Sequence, residues 1–202
     1  MAEPSYQRRK EDRPQEITQA AFEVFAEKGY AAARVDEVAK RAGVSKGLTY
    51  LYFKTKEELF KAVVKSVAVR RVDALLEAVE TTELSSEEFI RGPLLDFMKS
   101  VPGSPIAIVI KLLISEGHRH PDLVDYYWKN VVSKGLTAIS SFIDRGVECG
   151  EFRKTAVNDL PQLVLAPMML SMIWRLVFTK RELDTDKLME TQIDMLLAWI
   201  KA

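Results

Sequence analysis

Cysteine is nearly absent from this chain, since Cys149 is the single one among 202 residues. One cysteine excludes an intramolecular disulfide framework and is compatible with a reducing cytoplasm. Histidine is also scarce, and both residues, His118 and His120, lie just before Pro121 and Asp122. This group resembles a set of metal ligands, but Pro121 and Asp122 also suit the first turn of a helix, and no cysteine or glutamate cluster completes a site. We therefore predict no metal and no cofactor.

An excess of charge is missing as well, because 29 Lys and Arg balance 29 Asp and Glu. The chain as a whole is therefore not a polycation that coats nucleic acid non-specifically. The most apolar stretch, residues 163–178, contains Pro167 and Arg175 and is shorter than the about 20 residues that a membrane crossing needs. The N-terminus is charged and does not match a secretory signal. These features predict a cytoplasmic protein without membrane contact.

Signatures of the common enzyme classes are also missing: there is no nucleophile elbow, phosphate loop or zincin spacing. We therefore predict that the chain is not an enzyme. No segment alternates apolar and polar residues as a strand does, whereas helical spacing recurs throughout. The sequence predicts an all-α fold of about nine helices.

The predicted domain boundary lies near a long helix that begins at Thr55. Thr55 and Glu58 match a capping box, and an apolar stripe continues to about Glu80. At ~1.5 Å per residue such a helix is roughly 35 to 40 Å long. We expect a small N-terminal domain over residues 1–54, with residues 1–12 as a flexible tail, and a larger helical domain over residues 55–202.

Residues 33–53 have the pattern of two short helices joined by a tight turn. In the first, Val35, Val38 and Ala39 share one face at helical spacing. Gly43 ends this helix, since glycine readily takes the left-handed conformation that closes a helix, and Ser45 is a suitable N-cap for a second helix that starts at Lys46. This arrangement is a helix-turn-helix, whose second helix fits the major groove of DNA.

The sequence of this segment closely resembles that of the DNA-binding domain of the TetR family of bacterial transcription regulators. The resemblance covers roughly residues 14–60. It rests on Ile17, Ala21, Phe25, Gly29, Tyr30, Ala39, Ala42, Gly43, Val44, Ser45, Gly47, Tyr50, Tyr52, Phe53, Lys56, Glu57 and Leu59. Two positions depart from the family pattern. Arg34 stands where the family usually has Ser or Thr, and Leu51 stands where a polar or aromatic residue is common.

Seven residues are candidates for contact with double-stranded DNA. Lys46 can reach a guanine edge or a phosphate, and Gly47 would allow the helix to approach closely. The full set is Arg34, Ser45, Lys46, Gly47, Thr49, Tyr50 and Lys56. Of these, Arg34 and Lys56 are phosphate candidates. The resemblance implies that Ser45, Lys46, Gly47, Tyr50 and Lys56 lie at or near the DNA.

A single helix-turn-helix offers little specificity, so we expect a homodimer on a near-palindromic operator with half-sites roughly 34 to 36 Å apart or multiples of it. The last two helices are too widely apolar to have only one buried side. Their candidate interface residues are Leu165, Met169, Met172, Ile173, Leu176, Ile193, Leu196 and Leu197. The resemblance points the same way, because TetR-like dimers pair their C-terminal helices. The alternative is that these residues form the core of a monomer.

A small, largely apolar organic effector is the expected signal, because Met and aromatic side chains suit adaptable recognition of small molecules. The candidate lining residues are Phe97, Met98, Ile110, Leu113, Ile114, Tyr127, Trp128, Met168 and Trp174, and the alternative for each is plain core packing. The predicted function is a transcriptional repressor released from its operator by this effector. One rival is a helical ligand-binding protein or enzyme whose N-terminal motif does not bind DNA. A second is an interaction protein or DNA-binding dimer that ignores small molecules.

Overall fold

A computed structural model describes residues 4–202, and their side chains from residue 12 onward. Within this described part the chain forms ten helices and no strand, which confirms the predicted all-α fold. The helices are α1 (Pro4–Ala32), α2 (Val35–Arg41), α3 (Lys46–Tyr52), α4 (Lys56–Val64, the π-helical turn Lys65–Val69 and Arg70–Thr81), α5 (Ser86–Phe89, the π-helical turn Ile90–Leu94 and Leu95–Ser100), α6 (Pro105–Glu116), α7 (Pro121–Tyr127, the π-helical turn Trp128–Val132 and Ser133–Glu148), α8 (Ala156–Asp159), α9 (Gln162–Val177) and α10 (Thr185–Ile200).

Helix α1 differs from the sequence prediction at its start. It begins at Pro4, so the part of the expected flexible tail that the structure describes is helical, and residues 1–3 lie outside the described residues. The backbone leaves the helical conformation at Gly29, where φ is 78° and ψ is 167°.

The described residues group into two compact units. The first contains the chain as far as Val69 together with Ile108–Tyr127, and the second contains Arg70–Ala107 together with Trp128–Ala202. The compact units divide the chain at other positions than residue 54, so the boundary after residue 54 stays a proposal about the functional division.

Three aromatic rings form the centre of the first unit. Phe25, Tyr30 and Phe60 are buried, and their ring centroids lie 5.4 to 6.0 Å apart. Aromatic pairs at such distances contribute about 0.5–1.5 kcal/mol each beyond the area they bury. This cluster joins α1 to the first part of α4, while α2 packs against both α1 and α3. Helix α2 is thereby held against this core through α1, and α3 is held through α2.

The second unit is built around α7. Its part Ser133–Glu148 packs against Arg70–Thr81, and Phe142 stacks on Phe89 with ring centroids 3.8 Å apart. Gly146 allows the closest approach, because a Cβ added there would lie 2.2 Å from the ring of Phe152. Helices α9 and α10 pack against each other, and α10 also contacts Leu95–Ser100.

No single described helix is both long and apolar enough to cross a membrane, although Ser86–Ser100 and Pro105–Glu116 reach that length and composition as a bent pair.

Candidate DNA-binding site

The turn between α2 and α3 closes as its local chemistry predicts. Gly43 has φ of 66°, in the left-handed region that glycine adopts without strain. The amide of Gly43 donates to the carbonyl of Lys40 at 3.2 Å, and that of Val44 donates to the carbonyl of Ala39 at 3.0 Å. These bonds satisfy carbonyls at the end of α2 and turn the chain sharply toward α3.

Ser45 begins α3 as an N-cap, as predicted. Its Oγ accepts a hydrogen bond from the amide of Leu48 at 3.1 Å. Such a cap contributes typically ~1 kcal/mol. Ser45 therefore has a structural role, and its exposed position at the start of α3 also leaves it within reach of a ligand.

Thr49 does not lie where the sequence placed it. The side chain is 0% exposed, and its hydroxyl donates to the carbonyl of Ser45 at 3.3 Å. A buried side chain on the inner side of α3 cannot reach a base edge. The predicted contact between Thr49 and DNA is therefore wrong. Which side of a short helix is buried depends on the packing of its neighbours, and the local sequence does not show it.

Four exposed residues share the outer side of α3: Lys46, Gly47, Tyr50 and Leu51. At about 100° per residue they occupy an arc of about 140°, opposite Thr49. Tyr50 is 38% exposed and Leu51 is 63% exposed. We call these four residues the readout face. It brings three of the predicted contact residues together and adds Leu51, which the sequence marked only as a departure from the family pattern.

Arg34 occupies the N-cap position of α2 but provides no side-chain cap. Its Nε donates to Oδ1 of Asp36 at 3.2 Å, and the Arg34 side chain is 70% exposed. This hydrogen bond lowers the pKa of the Asp36 carboxyl below its usual value. The guanidinium carries further N–H donors and is exposed, so its position suits a phosphate contact.

Lys56 is partly exposed, and its ammonium is held by backbone carbonyls of its own chain. Its ammonium donates to the carbonyls of Tyr30, Ala31 and Ala33 at 2.8, 3.0 and 3.2 Å, and it lies 4.6 Å from the centroid of the Tyr30 ring. An ammonium has three N–H donors, and all are used. Partial burial lowers the pKa of Lys56, and the Glu116 carboxylate opposes that shift. Lys56 therefore joins α4 to the end of α1, and its predicted phosphate contact stays a prediction.

Ion pairs orient α2 against α1. Arg41 donates two hydrogen bonds to the carboxylate of Glu27, at 2.5 and 2.7 Å, and Lys28 pairs with Glu37 at 2.7 Å. The bidentate hydrogen bonds from Arg41 lower the pKa of Glu27. Each exposed pair contributes little energy on its own, but a bidentate pair has a defined geometry. Together they fix the direction in which α2 leads into the turn.

The histidine segment also belongs to the first unit. The His120 ring meets the Tyr30 ring edge to face, with centroids 4.7 Å apart, and Oε1 of Glu116 lies 3.5 Å from the amide nitrogen of Ala31. No group of three or more His, Cys, Asp or Glu in the described part of the chain is arranged to hold a metal ion. His120 is thus a packing residue beside the aromatic cluster.

The predicted dimer residues differ in exposure and fall into three groups. Four of them are buried between helices of one chain, so they are core rather than surface, which corrects that part of the prediction: Met172, Ile193, Leu196 and Leu197. Leu165 is partly exposed. The remaining three lie on an exposed apolar face of α9 and α10, which we define by Met169, Leu170, Ile173, Leu176, Val177, Met195 and Trp199.

The predicted effector residues are spread over both units. Ile110, Leu113, Ile114 and Tyr127 belong to the first unit, whereas Phe97, Met98, Trp128, Met168 and Trp174 belong to the second. Met98 and Met168 are buried, but Ile114 and Trp128 are more than half exposed, so neither is enclosed as an effector-lining residue would be. Trp174 donates from Nε1 to the carbonyl of Arg181 at 3.0 Å and packs on Phe178. Burial raises the pKa of the Tyr127 phenol.

Residues 17–63 match the model of the bacterial regulatory proteins of the tetR family. The fatty acid metabolism regulator protein of Bacillus subtilis (strain 168) is 29% identical over 148 residues, which are 72% of this chain and 74% of that protein. The structure of a TetR-family transcriptional regulator from Mesorhizobium loti MAFF303099 has a TM-score of 0.78 at 22% identity and covers 94% of this chain and 97% of its own.

A second similar structure is the transcriptional regulator FadR from Bacillus subtilis in complex with stearoyl-CoA. It has a TM-score of 0.72 at 22% identity and covers 91% of this chain and 97% of its own. At these identities the two structural comparisons establish the fold alone. The family match falls on α1 to α4, where the readout face lies.

Proposed function

We propose that the chain is a DNA-binding transcriptional repressor of the TetR family of bacterial regulatory proteins, whose model matches residues 17–63, and that α2 and α3 read its operator. The observation that carries this proposal is the readout face, where α3 exposes Lys46, Gly47, Tyr50 and Leu51 together while its other side is anchored through Thr49. Its relatives are regulators and not enzymes, in agreement with the prediction that this chain is not an enzyme.

Each exposed group would have a definite task on DNA. Lys46 would reach a guanine edge or a phosphate, since its ammonium is exposed at the start of α3. Tyr50 would use its hydroxyl on a phosphate or base, and Gly47 would let the helix backbone approach the groove. Arg34 would hold a phosphate beside the start of α2. Operator binding also implies that the protein works in the cytoplasm.

We propose a second copy of this chain as the partner of the exposed apolar face. Large patches of contiguous apolar surface are rare on monomers and mark interaction sites. The face contains Val177, Met195 and Trp199, all at least 45% exposed. A two-fold pair of chains would present two readout faces to a near-palindromic operator. Sedimentation of Met195→Asp should give a monomer, whereas Met189→Leu, a change in the buried core, should remain dimeric.

The proposed effector is a long-chain fatty acyl-CoA. The relative from Bacillus subtilis is a fatty acid metabolism regulator, and the similar FadR structure holds stearoyl-CoA. Such a ligand carries the apolar chain that the predicted effector requires. If it binds one spacing of the two readout faces better than another, it shifts the population away from the DNA-binding state. We expect stearoyl-CoA to release the operator and acetyl-CoA, which has the same head group without the chain, to leave it bound.

The DNA-binding proposal is tested by selection from a random pool of duplex DNA, followed by sequencing of the bound fraction. We expect one near-palindromic sequence to be enriched. Lys46→Ala should weaken binding to it, whereas Lys154→Ala, which removes an exposed lysine of the second unit, should not. If the pool shows no enrichment although the protein is folded, the proposal is wrong.

A further inference from the structure

We propose that Leu51 is a specificity-determining residue that contacts the C5-methyl group of a thymine in each operator half-site. This inference rests on the proposed DNA-binding function, because the methyl group lies in the major groove that α3 would enter. It adds to that function the residue that makes a specific contact and the base that this residue recognises.

Leu51 has no part in the core of its own unit. Its side chain is 63% exposed, while Leu59 and Phe60, on the next helix of the same unit, are fully buried. A leucine this exposed on a seven-residue helix contributes little to folding. Single exposed leucines are common and need no explanation, so the position of Leu51 on the helix must carry the inference.

That position is next to Gly47 in the readout face. Leu51 follows Gly47 by four residues and Tyr50 follows it by three, so both lie on the same side of the helix as Gly47. Helical side chains lean toward the N-terminus, which brings Leu51 and Tyr50 over the turn that contains Gly47. A Cβ added at Gly47 would meet only Oγ of Ser45, at 4.0 Å. The surface over Gly47 is therefore open, and helical spacing places an aliphatic residue, Leu51, and an aromatic residue, Tyr50, beside it.

The chemistry of the major groove selects the occupant. Every polar group on a base edge there would lose its water against a leucine without gaining a hydrogen bond. The thymine C5-methyl is the one methyl group, and the largest apolar group, that the four bases present in this groove. Lys46 lies about 140° around the helix from Leu51. Its ammonium would therefore contact a phosphate or a guanine next to this thymine. An A·T pair at this position of each half-site is the expected preference.

Removal of the methyl group alone is the sharpest test. The operator enriched from the random pool is synthesised with deoxyuridine in place of one thymidine at a time, symmetrically in both half-sites, and binding is measured for each duplex. Deoxyuridine keeps every hydrogen-bonding group and lacks only the methyl. Burial of one methyl corresponds to about fourfold in affinity, so the wild-type dimer should lose about 15-fold at one thymine position.

Variants assign this loss to Leu51. Leu51→Ala, whose side chain is too short to reach the methyl, should bind thymidine and deoxyuridine duplexes equally at that position. Leu51→Met, which is long and apolar, should keep the loss. The matched control is Leu84→Ala, an exposed leucine of the second unit, which should behave as wild type. Unchanged thermal midpoints would show that all variants fold.

Two results would overturn the inference. Wild-type protein could bind every deoxyuridine duplex as tightly as the parent duplex, or Leu51→Ala could keep the full loss, which would assign the methyl contact to another residue. Either result leaves selective binding to the enriched operator intact, so the proposed function stands. Failure to enrich any sequence from the pool would instead remove both the function and the inference.

Discussion

Replacing Arg34 with serine should have opposite effects on stability and on DNA binding. Arg34 is the N-cap residue of α2 but makes no capping bond. A serine there can accept a hydrogen bond from an amide of the first turn, which is worth typically ~1 kcal/mol and at most about 2. The lost contact to Asp36 is between exposed groups and offsets only part of this gain. Arg34→Ser should therefore raise the free energy of unfolding by up to about 1 kcal/mol.

The same substitution removes one proposed phosphate contact from each subunit. Each neutralised phosphate contributes about 0.9 to the slope of log affinity against log salt, so a dimer should lose about 1.8 of slope. Fluorescence anisotropy of labelled operator between about 50 and 200 mM salt measures this change, and chemical denaturation measures the stability. A more stable protein with a shallower salt dependence is the expected result.

Arg34→Ala is the matched control, because it removes the charge without adding a cap. It should show the same fall in salt slope as Arg34→Ser but no gain in stability. If Arg34→Ser were less stable than the wild type, the missing N-cap hydrogen bond would not limit the stability of α2. An unchanged salt slope in both variants would refute the phosphate contact.

Three further changes test the packing and charge of each unit. Gly146→Ala places a Cβ 2.2 Å from the ring of Phe152, so denaturant unfolding should show a loss of about 1–3 kcal/mol; an unaltered midpoint would mean that Phe152 can move aside. Lys56→Gln keeps at most two of the three donors and should destabilise the protein by about 1–3 kcal/mol, while Lys56→Arg should recover part of this loss in the same thermal assay. Arg41→Gln tests acid stability. The hydrogen bonds from Arg41 lower the pKa of Glu27 below its usual value of 4.5. They therefore stabilise the fold above pH 4.5, and this contribution is lost as the pH falls through the lower pKa of the folded state. The variant should therefore show a shallower fall of stability below pH 4.5 in a pH titration of unfolding, and an identical pH profile would contradict the assigned cause.

The helix-turn-helix could be predicted because its signals are local. The left-handed conformation of Gly43 and the cap from Ser45 depend on residues within a few positions, and both occur as predicted. Arg34 and Leu51 could be recognised as unusual because the surrounding pattern of residue types is so complete.

Two parts of the site depend on tertiary contacts and could not be predicted. Lys56 meets carbonyls more than twenty positions earlier in the chain, and Thr49 is buried by the packing of its neighbours. The apolar period of α9 and α10 predicted that these helices are buried on several sides. It could not show that Leu196 is covered by its own chain while Trp199 remains exposed.

The most direct test of operator reading by α3 is the ratio of dissociation constants for the enriched operator and for a scrambled duplex of equal length, at physiological salt. Wild-type protein should bind the operator at least about 10³-fold more tightly than the scrambled duplex. In Lys46→Ala combined with Tyr50→Ala this ratio should fall sharply, while the thermal midpoint stays unchanged because both side chains are exposed. A wild-type ratio near one, or a ratio that the double variant leaves intact, would contradict the assignment of operator reading to the exposed side of α3.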